Sequence, residues 1–190
     1  MLARRYVMGI DPGFVPATYC VYDMEQDCVS RLGMFIIEKR SMNNMASTVK
    51  KFISEHQEAI DLSEHIFVEI QMRAALKCFT VMLQALLGED KVTLVAPISV
   101  KIELGIHLQG KASRDKYKLN KEISTWYVRT YHPDAFACIL QQYDEMNRRL
   151  VKARHKPKPF SHDYCEALLI CLAYWLPIRK QRVFLRSILN

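Results

Sequence analysis

The sequence predicts an α/β fold: a mixed five-stranded sheet, three antiparallel strands followed by a β-α-β unit, flanked by helices. Two observations carry this prediction. Short runs rich in β-branched and aromatic residues recur early in the chain, separated by turn-like residues. Later runs of the same kind alternate with segments whose apolar residues repeat at helical spacing. Strands first and alternation afterwards imply antiparallel neighbours, then parallel ones, with helices packed on the sheet.

Taken in order, Tyr6–Asp11 reads as a buried strand that stops at Pro12-Gly13. Thr18–Tyr22 and Val29–Ile37 complete an antiparallel meander. Met42–Ile60 carries Met45, Val49, Phe52 and Ile53 on one helical stripe. Ile66–Ile70 is a fourth strand, and Ala74–Leu87 a helix ending at Gly88. Val92–Ala96 is a fifth strand, stopped by Pro97, and Ser99–Leu104 a short helix. Gln109–Lys116 is polar, basic and poorly periodic, the pattern of a mobile loop. Lys121–Tyr131 and Ala135–Ala153 read as helices, and the proline-containing His155–Phe160 as a stiff basic linker. His162–Leu176 is an apolar helix ended by Pro177.

The chain has 190 residues, half of them apolar and a quarter charged. This composition excludes disorder as the main state and supports one domain over 1–190, with a basic loop and helical insertion around 105–158. The longest nearly apolar run, Ala167–Leu176, is too short to span a bilayer, and the N-terminus has no apolar signal stretch. An intracellular protein without a membrane partner is expected. No C-x-x-C pair occurs among the six cysteines, so a zinc knuckle is not expected and reduced thiols are. Cys138, Cys165 and Cys171 read as core residues. So do Trp126, Tyr174 and Trp175, in the core or at a dimer contact.

Net charge is +7, and residues 111–158 hold all of the excess: twelve Lys/Arg against five Asp/Glu, with fifteen of each elsewhere. A localised basic segment points to a polyanion, most often nucleic acid. Lys111, Arg114, Lys116, Lys118 and Lys121 surround Tyr117 and are candidates for phosphate contact, or else a solvated charge run.

Four carboxylates stand out. Asp11 closes the first strand, and Glu69 lies inside an apolar strand. Asp163 and Glu166, three apart, share a face of the last helix. Singly, each has a plain account: a turn, a solvent-side strand position, a helix-start charge. Jointly they suit a hard divalent cation, because clustered carboxylates repel one another unless a cation compensates them. Two such ions assist phosphodiester hydrolysis.

Ile10-Asp11-Pro12-Gly13, Val68-Glu69-Ile70-Gln71-Met72-Arg73 and His162-Asp163-Tyr164-Cys165-Glu166-Ala167-Leu168, in that order, resemble Holliday-junction resolvases of the RuvC type. The Glu69-x-Gln71-x-Arg73 run is most similar to the branch found in poxviruses and related large DNA viruses. The resemblance implies a ribonuclease H-like fold, a homodimer, and paired symmetric nicks across a four-way DNA junction with Mg²⁺ or Mn²⁺. It implies that Asp11, Glu69, Asp163 and Glu166 are metal ligands. Lys101 and Lys121, with Lys118 as competitor for the latter, match lysines that assist catalysis. Gln71 and Arg73 are implied as DNA contacts. The chain departs from the family pattern at Glu166, where Asp is common, and at Phe14, where a polar residue is. For a poxviral protein, the site of action would be the host cytoplasm. Two other readings stay open: a nuclease of the same fold acting on flapped or single-stranded DNA or RNA, and a non-catalytic nucleic-acid-binding protein.

Overall fold

The computed structural model describes residues 6–14, 17–37, 44–106, 115–152 and 162–174. Strand β1 (Tyr6–Asp11) lies at the centre of the sheet. Successive side chains of a strand point to opposite faces. Met8 and Ile10 enter one apolar core and Val7 the other. Such two-sided burial is what a central strand requires.

β1 pairs antiparallel with β2 (Ala17–Asp23), which pairs antiparallel with β3 (Cys28–Phe35). On its other side β1 pairs parallel with β4 (Ser63–Glu69), which pairs parallel with β5 (Val92–Val95). The sheet order is β3-β2-β1-β4-β5. Helices α1 (Met45–Glu55), α2 (Gln57–Leu62) and α3 (Ala74–Leu87) cover one face through Val49, Phe52, Ile60, Phe79 and Leu83. The opposite core includes Val100 of α4 (Pro97–Glu103), Val128 of α5 (Asp115–Tyr131) and Ile139 of α6 (Pro133–Lys152). It also takes in a final helix, α7 (163–174). Along α7, Leu168, Leu169, Ile170 and Leu172 are all buried. Each such burial contributes about 1.5–3 kcal/mol.

α7 approaches β1 at Gly9. A Cβ there would stand 2.2 Å from the carbonyl oxygen of Ala167 and 2.8 Å from Cys171 Sγ. Only a residue without a side chain allows helix and strand to come this close.

Several expectations need correction. The single helix expected over 42–60 breaks at His56, whose φ of −119° and ψ of 20° are not helical. Its ring contacts Tyr19, Phe35 and Phe52, and Nδ1 lies 3.1 Å from the Tyr19 hydroxyl. The periodicity runs on across this point, because His56 occupies an inward position as an aromatic residue. α5 begins at Asp115, so Asp115 and Lys116, the end of the expected loop, are helical. Trp126 is not a core residue: it is 55% exposed and meets Tyr131 edge-on at 5.9 Å. α4 starts at Pro97, where a missing N–H costs nothing. All six cysteines are free, with Cys165 and Cys171 buried and Cys138 packed against the same core. The expected linker His155–Phe160, Trp175 and the tail beyond it lie outside the described residues. No described helix is long and apolar enough to cross a membrane.

Candidate active site

Strand alternation sets the site. On β1, Val7, Gly9 and Asp11 share the face that α7 covers, and on β4 Phe67 and Glu69 share that face too. Gly9 pairs with Phe67 and Ile10 with Val68, which brings Asp11 and Glu69 side by side at the carboxyl ends of two parallel strands. Thr18, the register partner of Asp11 on β2, donates its hydroxyl to the backbone oxygen of Asp163 at 2.9 Å. That bond ties the start of α7 to the same edge. The His162 carbonyl accepts the Cys165 and Glu166 amides at 2.9 and 3.1 Å, opening the helix so that Asp163 lies in its first turn. Asp163 and Glu166 thereby join the two strand carboxylates.

Burial is deep. Asp11 is only 8% exposed. Desolvation pushes its carboxyl up to about 6, against the pull of Lys121 and with further push from Asp163 and Glu166. Glu69 is pushed up to about 9 by burial first, then by the charge of Asp11 and of Glu166.

Donors from this chain hold the cluster. The Gln71 side-chain amide donates to Asp11 Oδ1 at 3.1 Å and to Glu69 Oε2 at 3.0 Å. Lys121 Nζ pairs with Asp163 Oδ1. Lys101 Nζ stands 3.6 Å from Glu166 Oε1, and Ser124 Oγ donates to that oxygen at 2.8 Å. Thr125 Oγ1 and His162 Nδ1 lie 2.6 Å apart. At the mouth, the Arg73 guanidinium stacks over the Phe14 ring at 5.5 Å, linking the turn after β1 to the start of α3.

Of the residues singled out in the sequence, the structure brings together Asp11, Glu69, Gln71, Lys101, Lys121, Asp163 and Glu166, with Arg73 at the rim. Lys116 and Lys118 fall inside α5, while Lys111 and Arg114 lie outside the described residues. Sequence reasoning missed Gly9, Thr18, Ser124 and Thr125. The last two were visible as polar positions at i+3 and i+4 from Lys121, on the face that continues to buried Val128.

The donor set suits a hard divalent cation: four carboxylates, two of them resisting ionisation where they stand. Among the described residues no three His, Cys, Asp or Glu side chains are already gathered around one point that could hold an ion. Gln71, Lys101, Lys121 and Ser124 engage the carboxylates instead.

The sheet order and flanking helices are those of the ribonuclease H-like fold. No protein-family model and no curated protein matches the chain. Solved structures do, among them "Thermus thermophilus RuvC structure", with a TM-score of 0.52 and 16% identity over 93% of this chain and 96% of that one. A second is "T. thermophilus RuvC in complex with Holliday junction substrate", at 0.53 and 15% identity over 92% and 95%. At this identity the likeness is one of fold.

Proposed function

We propose that this chain is a metal-dependent, structure-selective DNA endonuclease that resolves four-way junctions and other branched DNA by paired symmetric nicks, in recombination or replication. The observation that carries the reading is the meeting of Asp11, Glu69, Asp163 and Glu166 with two lysines at one sheet edge, in a fold shared with RuvC. One of the similar structures is bound to a Holliday junction.

Asp11, Glu69, Asp163 and Glu166 would hold Mg²⁺ or Mn²⁺, which when bound supplies Lewis-acid stabilisation of charge on phosphate oxygens. The chain's own groups do the rest. Gln71 sets the mutual orientation of Asp11 and Glu69. Lys121 and Lys101 keep positive charge beside the carboxylates, where a transferring phosphoryl group gains charge. Arg73, with Lys111, Arg114 and Lys116, contacts DNA phosphates, and such contacts favour shape over sequence. The chain acts as one nuclease domain and as a homodimer, which gives two active sites for a two-fold-symmetric substrate. Exposed Val81 and Leu86 on α3 supply apolar surface for the second copy. The resemblance of the Glu69-x-Gln71-x-Arg73 run to the large DNA virus branch supports a viral origin and, if poxviral, action in the host cytoplasm.

The test is a synthetic four-way junction with each strand labelled in turn, incubated with and without Mg²⁺ beside an Asp163→Asn variant. Symmetric, ligatable nicks that need the metal and vanish in the variant are expected. Cleavage confined to flaps or single strands would retain the site and overturn the substrate. Tight binding without cleavage in Mg²⁺ or Mn²⁺ would leave a binding protein.

A further inference from the structure

Helix α5 and the start of α7 are joined by side-chain pairs. Lys121 pairs with Asp163, Ser124 donates to Glu166 at 2.8 Å, and Thr125 meets His162 at 2.6 Å. The spacing follows from the helix: positions 121, 124 and 125 lie on one face, as do 162, 163 and 166 on the other helix. Ser124 is the one of these residues that is fully buried.

Its hydroxyl has a particular target. Glu166 is a long, three-torsion side chain at a position where the resembled family commonly has the shorter Asp. An extra methylene makes the carboxylate placement softer. Here the side chain is only 12% exposed, and both of its contacts, Ser124 Oγ and Lys101 Nζ at 3.6 Å, fall on the same oxygen, Oε1. Oε2 has no hydrogen-bond partner among the described residues. One oxygen is tied back to the protein, and the other is left to the carboxylate cluster.

We propose that Ser124 is a positioning residue: by holding Oε1 it fixes the Glu166 carboxylate in the one setting in which Oε2 serves the divalent cation of the active site. The inference rests on the metal-dependent reading above. Ser124 touches neither substrate nor ion; it acts through Glu166. Lys101 on the same oxygen neutralises charge, while the hydroxyl's hydrogen bond supplies direction. A serine inside this helix costs little, since its hydroxyl has a carboxylate acceptor in place of water.

The experiment is a calorimetric titration of Mn²⁺ into five proteins, each carrying the whole chain: wild type, Ser124→Ala, Ser124→Thr, Glu166→Ala and the Ser124→Ala/Glu166→Ala double variant, each checked by thermal melting. Ser124→Ala is expected to weaken Mn²⁺ binding about 10-fold, within the 10–100-fold range for loss of a partner that orients a metal ligand. Its melting temperature should stay close to wild type. In the Glu166→Ala background the same substitution should add nothing, because no carboxylate remains to be held. Ser124→Thr, which keeps the hydroxyl, should restore affinity in part. Wild-type affinity in Ser124→Ala overturns the inference alone, and so does an equal loss in the Glu166→Ala background. Absence of any Mn²⁺ binding by the wild type overturns the metal-dependent reading together with this one.

Discussion

Gly9 and Ala167 are in contact so close that a single Cβ on the glycine would stand 2.2 Å from the alanine's carbonyl oxygen. The relationship matters because Gly9 shares a strand face with Asp11, and Ala167 follows Glu166 directly. The distance between β1 and α7 sets the distance between their carboxylates.

Gly9→Ala is therefore expected to injure the site as well as the fold. The neighbour is backbone, so it cannot rotate away, and the helix must shift. Overpacking of this kind costs about 1–3 kcal/mol. Chemical denaturation should show that loss, and Mn²⁺ affinity should fall with it. A variant of wild-type stability and affinity would mean that α7 does not sit where described.

Glu69 predicts an unusual pH dependence. Its carboxyl is raised by burial and by Asp11 from an ordinary 4.5 to about 9, and Asp11 is raised from 3.8 to about 6. In this interval the folded chain keeps protons that the unfolded chain has released. Stability thus falls as pH rises, the reverse of the common salt-bridged carboxylate. With chelator present, the melting temperature should drop steadily from about pH 5 to about pH 9. Glu69→Gln should flatten the curve and melt higher than wild type at the alkaline end. Saturating Mg²⁺ should flatten it too, by stabilising the ionised carboxylates. A wild-type curve that rises over the same range would contradict the burial of this pair.

Lys121 pairs with Asp163 at only 18% side-chain exposure, so it has little part in first capture of DNA. Lys121→Ala should lower single-turnover junction cleavage roughly 10²–10³-fold, the usual cost of removing a donor aimed at developing charge. Junction affinity, set by Arg73 and the other proposed phosphate contacts, should change far less. Unchanged cleavage would remove the lysine from the mechanism.

Much of the fold was legible because strands and helices declare themselves locally. β-branched runs, Pro12-Gly13, Gly88 and Pro97 mark the elements and their ends. The break at His56 was not legible, since the ring sits at a position where the helical stripe expects an inward residue, and only its contacts with Tyr19, Phe35 and Phe52 set it apart. The core alternative for Trp126 failed for the opposite reason: an aromatic on an amphipathic helix predicts burial, yet the covered face runs through Ser124 and Val128.

The sequence by itself determined the element order and marked out the four acidic residues, because a carboxylate inside an apolar strand conflicts with its surroundings and clustered carboxylates repel one another. What it could not determine is who holds whom. That Gln71 bridges Asp11 and Glu69, that Lys121 takes Asp163, and that Ser124 and Lys101 share one oxygen of Glu166 were decided by the tertiary structure. Hydrogen bonds depend on distances of a few tenths of an ångström between groups up to 145 positions apart, and the close approach of α7 to β1 at Gly9 sets the frame for them.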